Sequence, residues 1–403
     1  MIKKLPTDTI RGLLSQKGLI LLGPTLAVFI LLILLSFTLI RLIVNEENES
    51  TNYVVEAKAR HIAMTGLERG IQQFRRTRVP PSFTDIPFGT GTYTVRFDTL
   101  RDETGTTLPW CNYVMIRSRG NVADVERNVR VVLSSLPHAF LFGLYSQNLD
   151  DKQFDLKGDI TSVSGDVYFR GDVKTTENVT GTVYTPPGYI STLGPITYHP
   201  EPQPPFPYFD PSYFDGLLDT VDLLGVDKLH IDGGTLDLST YENNTIYVKD
   251  LKLKNSTAIG PGRIVANKKI NIDNSIVDDD IIIVSSGAVT VKNGSTVGTG
   301  ICYPNDGVIF FAKGNGEIKE STFYGLVIVD PSQVKLNDCT YYGAVLSTGK
   351  VLDMKNSTIT GSLVIKGKAQ IKNCLITRGP LPLVLSKPIG LEPYIIPGTW
   401  LEY

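Results

Sequence analysis

The chain is poor in the residues that most enzyme chemistry needs. Its 403 residues include four His (His61, His138, His199, His230) and four Cys, scattered over unrelated segments. That is too sparse for a metal site or a Ser-His-Asp set. No glycine-rich phosphate loop precedes a helix, and a net charge of −2 leaves no broad basic surface for nucleic acid. The one eye-catching acidic group is Asp278-Asp279-Asp280. Grouped carboxylates serve polysaccharide-cleaving enzymes, and a carboxylate trio is also a calcium-ligand pattern. Consecutive strand residues face opposite sides, however, and Asp280 stands directly before Ile281-Ile-Ile-Val. A turn is the simpler reading. We therefore name no catalytic, cofactor-binding or metal-ligating residue, and the expectation is a protein that is not an enzyme.

Charge is missing altogether from Gly18 to Ile40, a run of 23 residues. As a helix this run is long enough to cross a hydrocarbon core of about 30 Å. It is too long for a secretory signal peptide, and no small-x-small cleavage site follows it. Lys3, Lys4, Arg11 and Lys17 precede it with only Asp8 opposing, while Glu46, Glu47 and Glu49 follow. Counting Lys and Arg places the N-terminus in the cytoplasm and the bulk of the chain outside the inner membrane. In that oxidising compartment Cys111, Cys302, Cys339 and Cys374 are free to pair, and three full connectivities exist.

The segments read as a basic leader over 1–18, a transmembrane helix over 19–44 and an amphipathic extension over 45–79. In the extension Val55, Ala59, Ile62, Ala63, Gly66, Leu67, Ile71 and Phe74 recur at helical steps. The small residues in that stripe let another element approach closely, and Pro80-Pro81 ends the helix. A small β head over 82–137 follows. Gly91–Asp98, Asn112–Gly120 and Arg127–Ser134 alternate like half-buried strands.

Residues 17 to 75, from Lys-Gly-Leu-Ile-Leu-Leu through Glu56-Ala-Lys-Ala-Arg-His-Ile-Ala-Met-Thr-Gly-Leu-Glu-Arg-Gly70, resemble the N-terminal region of PilX-type minor pilins and of K-type pseudopilins of type II secretion. The resemblance implies removal of the leader after Gly18, with Leu19 as the first mature residue, usually methylated. It also implies that the membrane half of the helix packs among other pilin or pseudopilin subunits, and the small residues Gly23, Ala59, Ala63 and Gly66 are the helix-packing positions. Major pilins carry a Glu at the place of Gly23, so the likeness points to a minor, tip or priming subunit.

From about residue 145 to 385 the chain is a repeat. Gly325, Gly343, Gly361 and Gly379 stand 18 residues apart, each followed by an apolar run. A second ladder sits on the preceding turn at Asn255, Asn274, Asn293, Asn337, Asn356 and Asn373, mostly at steps of 18 or 19. Such periods with β-branched runs and Asn or Gly at corners mean a parallel β-helix, a β-solenoid of three short strands per coil. Asn suits a corner because it tolerates left-handed backbone angles, and stacked Asn side chains can bond one another. Gly158, Gly165, Gly171 and Gly181 mark an earlier, less regular stretch of coils. Cys339 and Cys374 fall at like corners two coils apart, about 9.6 Å by the stacking distance, too far to bond.

A Pro-rich insertion over about 195–228 interrupts the repeat, with a short helix near Tyr213–Leu224, and reads as a lateral cover pinned by aromatics. Residues 386–403 read as a C-terminal tail. The expected fold is thus a membrane-anchored α+β part followed by an all-β part. The expected function is a minor pilin-like component of a type IV pilus or type II secretion assembly. Its partners would be other pilin subunits, the inner membrane and a surface or glycan ligand of the solenoid, with no cofactor and no nucleic acid. The alternatives are a membrane-anchored envelope scaffold outside any filament and a polysaccharide-acting enzyme.

Overall fold

The computed structural model describes residues 16–79, 81–102, 104–147, 154–157, 162–170, 173–174, 179–185, 196–198, 204–300, 307–349, 351–383 and 390–403. One helix, α1 (Gln16–Thr77), runs unbroken for 62 residues with Pro24 inside it. At 1.5 Å per residue it is about 90 Å long. Every described side chain from Gly23 to Val54 is exposed, whereas Ala59, Ile62, Ala63, Leu67, Ile71 and Phe74 are buried. The helix stops before the two prolines. Arg78 turns left-handed at φ +56° and donates its N–H to the Phe74 carbonyl at 2.9 Å, a closure usually made by glycine.

The buried half of α1 lies on an antiparallel sheet of β1 (Phe83–Phe88), β2 (Gly91–Asp98), β3 (Tyr113–Val122) and β4 (Val125–Ser134). Tyr93, Val95, Val114, Ile116, Val129 and Val131 meet the helix stripe. The approach is close enough to require small residues. A side chain at Gly120 would overlap the Ala59 carbonyl and the Ala63 nitrogen, and one at Gly66 would overlap Ser118 and the Tyr93 ring.

The head differs from the three strands expected. The strand β1 is added, with Asp85 at a positive φ and a register shift that breaks its alternation. The C-terminal residues also join. Tyr394–Ile395 and Leu401–Glu402 pair antiparallel with β4, Tyr394 opposite Ser134 and Leu401 opposite Arg130. The tail therefore closes the head, and the solenoid is an insertion between β4 and these last strands.

The solenoid has about ten coils of parallel strands. A representative coil has three sides, Gly316–Lys319, Thr322–Tyr324 and Leu326–Val329, with Gly325 bending the long strand between the last two. The next coil repeats it in register, with Gly316 beside Val334, Thr322 beside Thr340 and Leu326 beside Ala344. Inward residues from all three sides form one continuous apolar core.

The coils do not stack in chain order. Val226–Asp232 forms one end, and the coils advance from there to Leu375–Thr377. On that coil sits an earlier one, with Leu363 beside Leu144, Ile371 beside Leu156 and Leu375 beside Ser162. Beyond it follow Val167–Phe169, Val183–Thr185 and Ile196–Tyr198. The chain thus leaves the head, builds outward, crosses back along the side and builds inward until it meets its own starting coil. Both connections to the head arrive at that meeting point.

The crossing segment is the Pro-rich stretch from Pro204 and helix α2 (Ser212–Leu224). It is narrower than expected from the sequence, because Ile196–Tyr198 and Val226–Asp232 are themselves coil strands. Phe206, Phe209, Phe214, Leu218 and Val221 pack on outward apolar residues such as Ile282, Ile309, Phe311 and Leu326. The Phe214 and Phe311 rings stack at 4.4 Å, and the Tyr145 hydroxyl donates to the Pro204 carbonyl at 2.7 Å. The Leu326–Val329 side is therefore buried on both faces, which is why its sequence is a continuous apolar run.

Candidate functional site

The chain presents two extended surfaces, one on α1 and one on the solenoid. The first is the exposed half of α1, long and apolar enough to cross a membrane by length and composition. Gly18 and Leu19 lie within the continuous helix. Gly23 has no other heavy atom where its side chain would stand. Ala59, Ala63 and Gly66, named as packing positions, are buried under the chain's own sheet, the element that approaches closely there. The four positions thus separate, and only Gly23 faces outward.

At the solenoid corners Asn255, Asn274, Asn293, Asn356 and Asn373 all have φ between +46° and +56°. Asn337 does not. It ends a strand opposite Lys355, and its neighbour Asp338 takes the left-handed corner at φ +52°. The ladder is therefore shifted by one residue there, and Glu320 fills the same corner in the coil before. Asn274 donates to Asn255 at 2.8 Å, Asn373 to Asn356 at 3.2 Å and Asn356 to Asp338 at 3.0 Å. Their polar groups serve the corner itself. Gly325, Gly343 and Gly361 bend at φ +145°, +130° and +151°. Gly379 lacks this conformation; a side chain there would meet Thr360.

Inside each Asn corner sits a buried hydroxyl or thiol. The Ser357 hydroxyl donates to the Lys355 carbonyl at 2.7 Å and accepts the Cys339 N–H at 3.2 Å. Cys339 and Cys374 replace serine in this row and carry buried thiols that are not disulfide-bonded. Burial pushes both thiols up to about 11. Cys111 is disulfide-bonded, and Cys302 lies outside the described residues.

The aspartate trio is a turn, with Asp280 at φ +60°. Asp279 is turned onto the next coil, where its carboxylate accepts the Thr299 N–H at 2.8 Å and the Gly300 N–H at 3.2 Å. His138 stacks on Tyr394 at 4.3 Å in the junction with the head, while His61 and His230 are far apart and exposed. His199, Gly158 and Gly171 lie outside the described residues. No group of three His, Cys, Asp or Glu suited to a metal ion occurs among the described residues.

The junction itself is held by two guanidinium groups, Arg78 buried and Arg378 half-buried. Arg78 donates to the carbonyls of Ser135 and Leu391. Arg378 donates to the Leu141 carbonyl at 3.0 Å and lies over the Trp110 ring at 4.6 Å. Burial lowers each to about 10, with Glu392 opposing at Arg78 and Tyr113 at Arg378, so both stay cationic at neutral pH.

The three sides of the solenoid differ in what they show outward. One is covered by the Pro-rich segment and α2. The second carries charge, with ion pairs between neighbouring coils such as Lys254–Asp232 at 3.3 Å and Lys292–Asp273 at 3.5 Å. Among the described residues, no element packs over the third, and its outward strand positions carry no charge over the middle coils. There Thr296, Thr322, Thr340 and Thr358 stand beside one another in four successive coils. Two residues on, Tyr324 and Tyr342 stack at 4.7 Å with their planes 6° apart, followed by Thr360 and Thr377. This third side was not singled out from the sequence. Its signal was a Thr three residues before each of Gly325, Gly343 and Gly361.

No family model and no curated protein matches the chain. Among solved structures it is similar to the competence-associated pilin ComZ from Thermus thermophilus, at 12% identity and a TM-score of 0.25, over 87% of this chain and 97% of that one.

Proposed function

We propose that this chain is a minor pilin-like structural subunit, of a type IV pilus or a type II secretion assembly, that displays its solenoid outside the cell for adhesion. The observation that carries the reading is the division of α1. Its second half is buried by the chain's own sheet, while its first half is apolar, exposed and continuous with it. An apolar helix face of that length needs lipid or other helices around it, and rigid continuity with the head transmits position from the membrane to the solenoid. The leader ending at Gly18 and the residues from Leu19 to Glu68, which resemble PilX-type minor pilins, agree with this reading. The chain is structural in this account and carries out no chemistry.

Filaments sheared from the cells and purified test the reading. The protein is expected in that fraction at low stoichiometry. Its confinement to the membrane fraction would favour the stand-alone envelope scaffold.

A further inference from the structure

We propose that the uncovered Thr–Tyr side of the solenoid binds an extended, neutral polysaccharide. The inference rests on the adhesive reading above and assigns it a face and a ligand class. Coils follow one another about 4.8 Å apart, so the four threonines from Thr296 to Thr358 set one hydroxyl per coil in a straight row. Each hydroxyl can both donate and accept a hydrogen bond. That suits the hydroxyl rim of a sugar chain, whose own repeat is close to one coil.

The parallel column supplies the apolar half of such recognition. Tyr324 and Tyr342 are half-buried, in register and stacked, so ordering them costs little when a ligand arrives. The facing planes of the two rings cover each other. A ligand laid across the row therefore meets ring edges and hydroxyl tips, and a pyranose C–H face stacks only on the outer plane at either end of the pair. The coil before Tyr324 carries Gly298 at that position, so the column's own stack ends there, with the Asp279 carboxylate beside it.

Charge decides the class of polymer. From Thr322 to Thr377 the outward strand positions of this side hold Thr, Tyr and Leu and no charged residue, in a chain that is 20% charged overall. The nearby Asp279 carboxylate lies one coil beyond, against Gly298, where it is bonded to Thr299 and Gly300. The neighbouring side carries Lys335, Lys355 and Lys372 on the same coils. An anionic polymer would be drawn to those lysines, and a neutral one has reason to prefer the Thr–Tyr side.

The test uses the full-length protein in detergent micelles, with amorphous cellulose and chitin as neutral probes and alginate as an anionic one. Wild-type protein should be retained on at least one neutral probe. The double variant Tyr324→Ala/Tyr342→Ala should lose at least about tenfold in affinity, as expected for removing two aromatic contacts. Thr340→Lys, which places a charge on the flat row, should lose a similar factor, and Lys355→Ala/Lys372→Ala should bind as wild type. An unchanged thermal transition in each variant separates lost binding from lost fold. The proposal is overturned if no neutral probe retains the protein, if the tyrosine pair is dispensable, or if alginate binds through the lysines. Adhesion of whole cells separates the two levels. Adhesion that survives the tyrosine variant contradicts this face alone, whereas wild-type cells that do not adhere contradict the adhesive reading as well.

Discussion

The head and the solenoid solve the same problem of close packing in opposite ways. In the head, Gly120 lets β3 press against Ala59 and Ala63, residues about 60 positions away that belong to a different kind of element. In the solenoid, Gly361 lies beside Gly343 and Gly343 beside Gly325, each touching its own counterpart in the adjoining coil. A residue in the solenoid is surrounded by near-copies of itself, so its environment is written every 18 or 19 residues. A residue in the head is surrounded by unlike partners from both ends of the chain.

Each side of this contrast can be broken separately. The largest effect is expected from Gly343→Ala. The residue sits at φ +130° with the Gly325 carbonyl where a side chain would go, so backbone strain and overlap add to about 3 kcal/mol or more. Loss should appear as a lowered thermal transition of the β signal in circular dichroism and as new proteolysis among the middle coils. Gly120→Ala should cost about 2 kcal/mol by overpacking. It should loosen α1 from the head, seen as faster amide exchange over residues 59–74, while the solenoid transition stays in place.

A smaller pair sharpens the corner argument. Asn274→Ala should cost about 1 kcal/mol, since alanine resists the left-handed corner and ends the bond to Asn255. Asn274→Gly should stay within a few tenths, because glycine adopts the corner freely. Equal losses for the two would mean that the side-chain ladder, not the backbone, holds the corner.

The smallest effect is chemical. Cys339 and Cys374 are raised to about 11 by burial, so at pH 8 only about one thiol in a thousand is ionised, against about one in ten for an ordinary cysteine at 9.0. The folded protein should leave both unalkylated by iodoacetamide at pH 8, and reaction should rise as the pH approaches 11. Prompt labelling at pH 8 would place these corners at the surface.

The same contrast explains what could be read from the sequence. The apolar run from Gly18, the helix stripe and the Gly and Asn corners are local or periodic, and they indicated the helix and the solenoid directly. Asn337 was misplaced by one because Asn-Asp-Cys offers two corner-capable residues in a row, and the strand register selects Asp338. Nothing local indicates that Leu401 pairs with Arg130 or that Leu144 stacks on Leu363. Those pairings come from where the chain must return, and short strands of two or three residues leave almost no pattern. The Thr–Tyr side was legible in principle, but threonine is an ordinary outward strand residue. Its meaning depends on knowing which side is left uncovered.

In the pilin-like reading proposed above, the exposed half of α1 is an assembly element as much as an anchor, and it is entered through a processed leader. The most direct measurement is the mass of the N-terminal peptide of the protein purified from its own membranes. A mature chain beginning at Leu19 and carrying an added methyl group is expected, and a chain that still begins at Met1 would contradict the pilin-like reading.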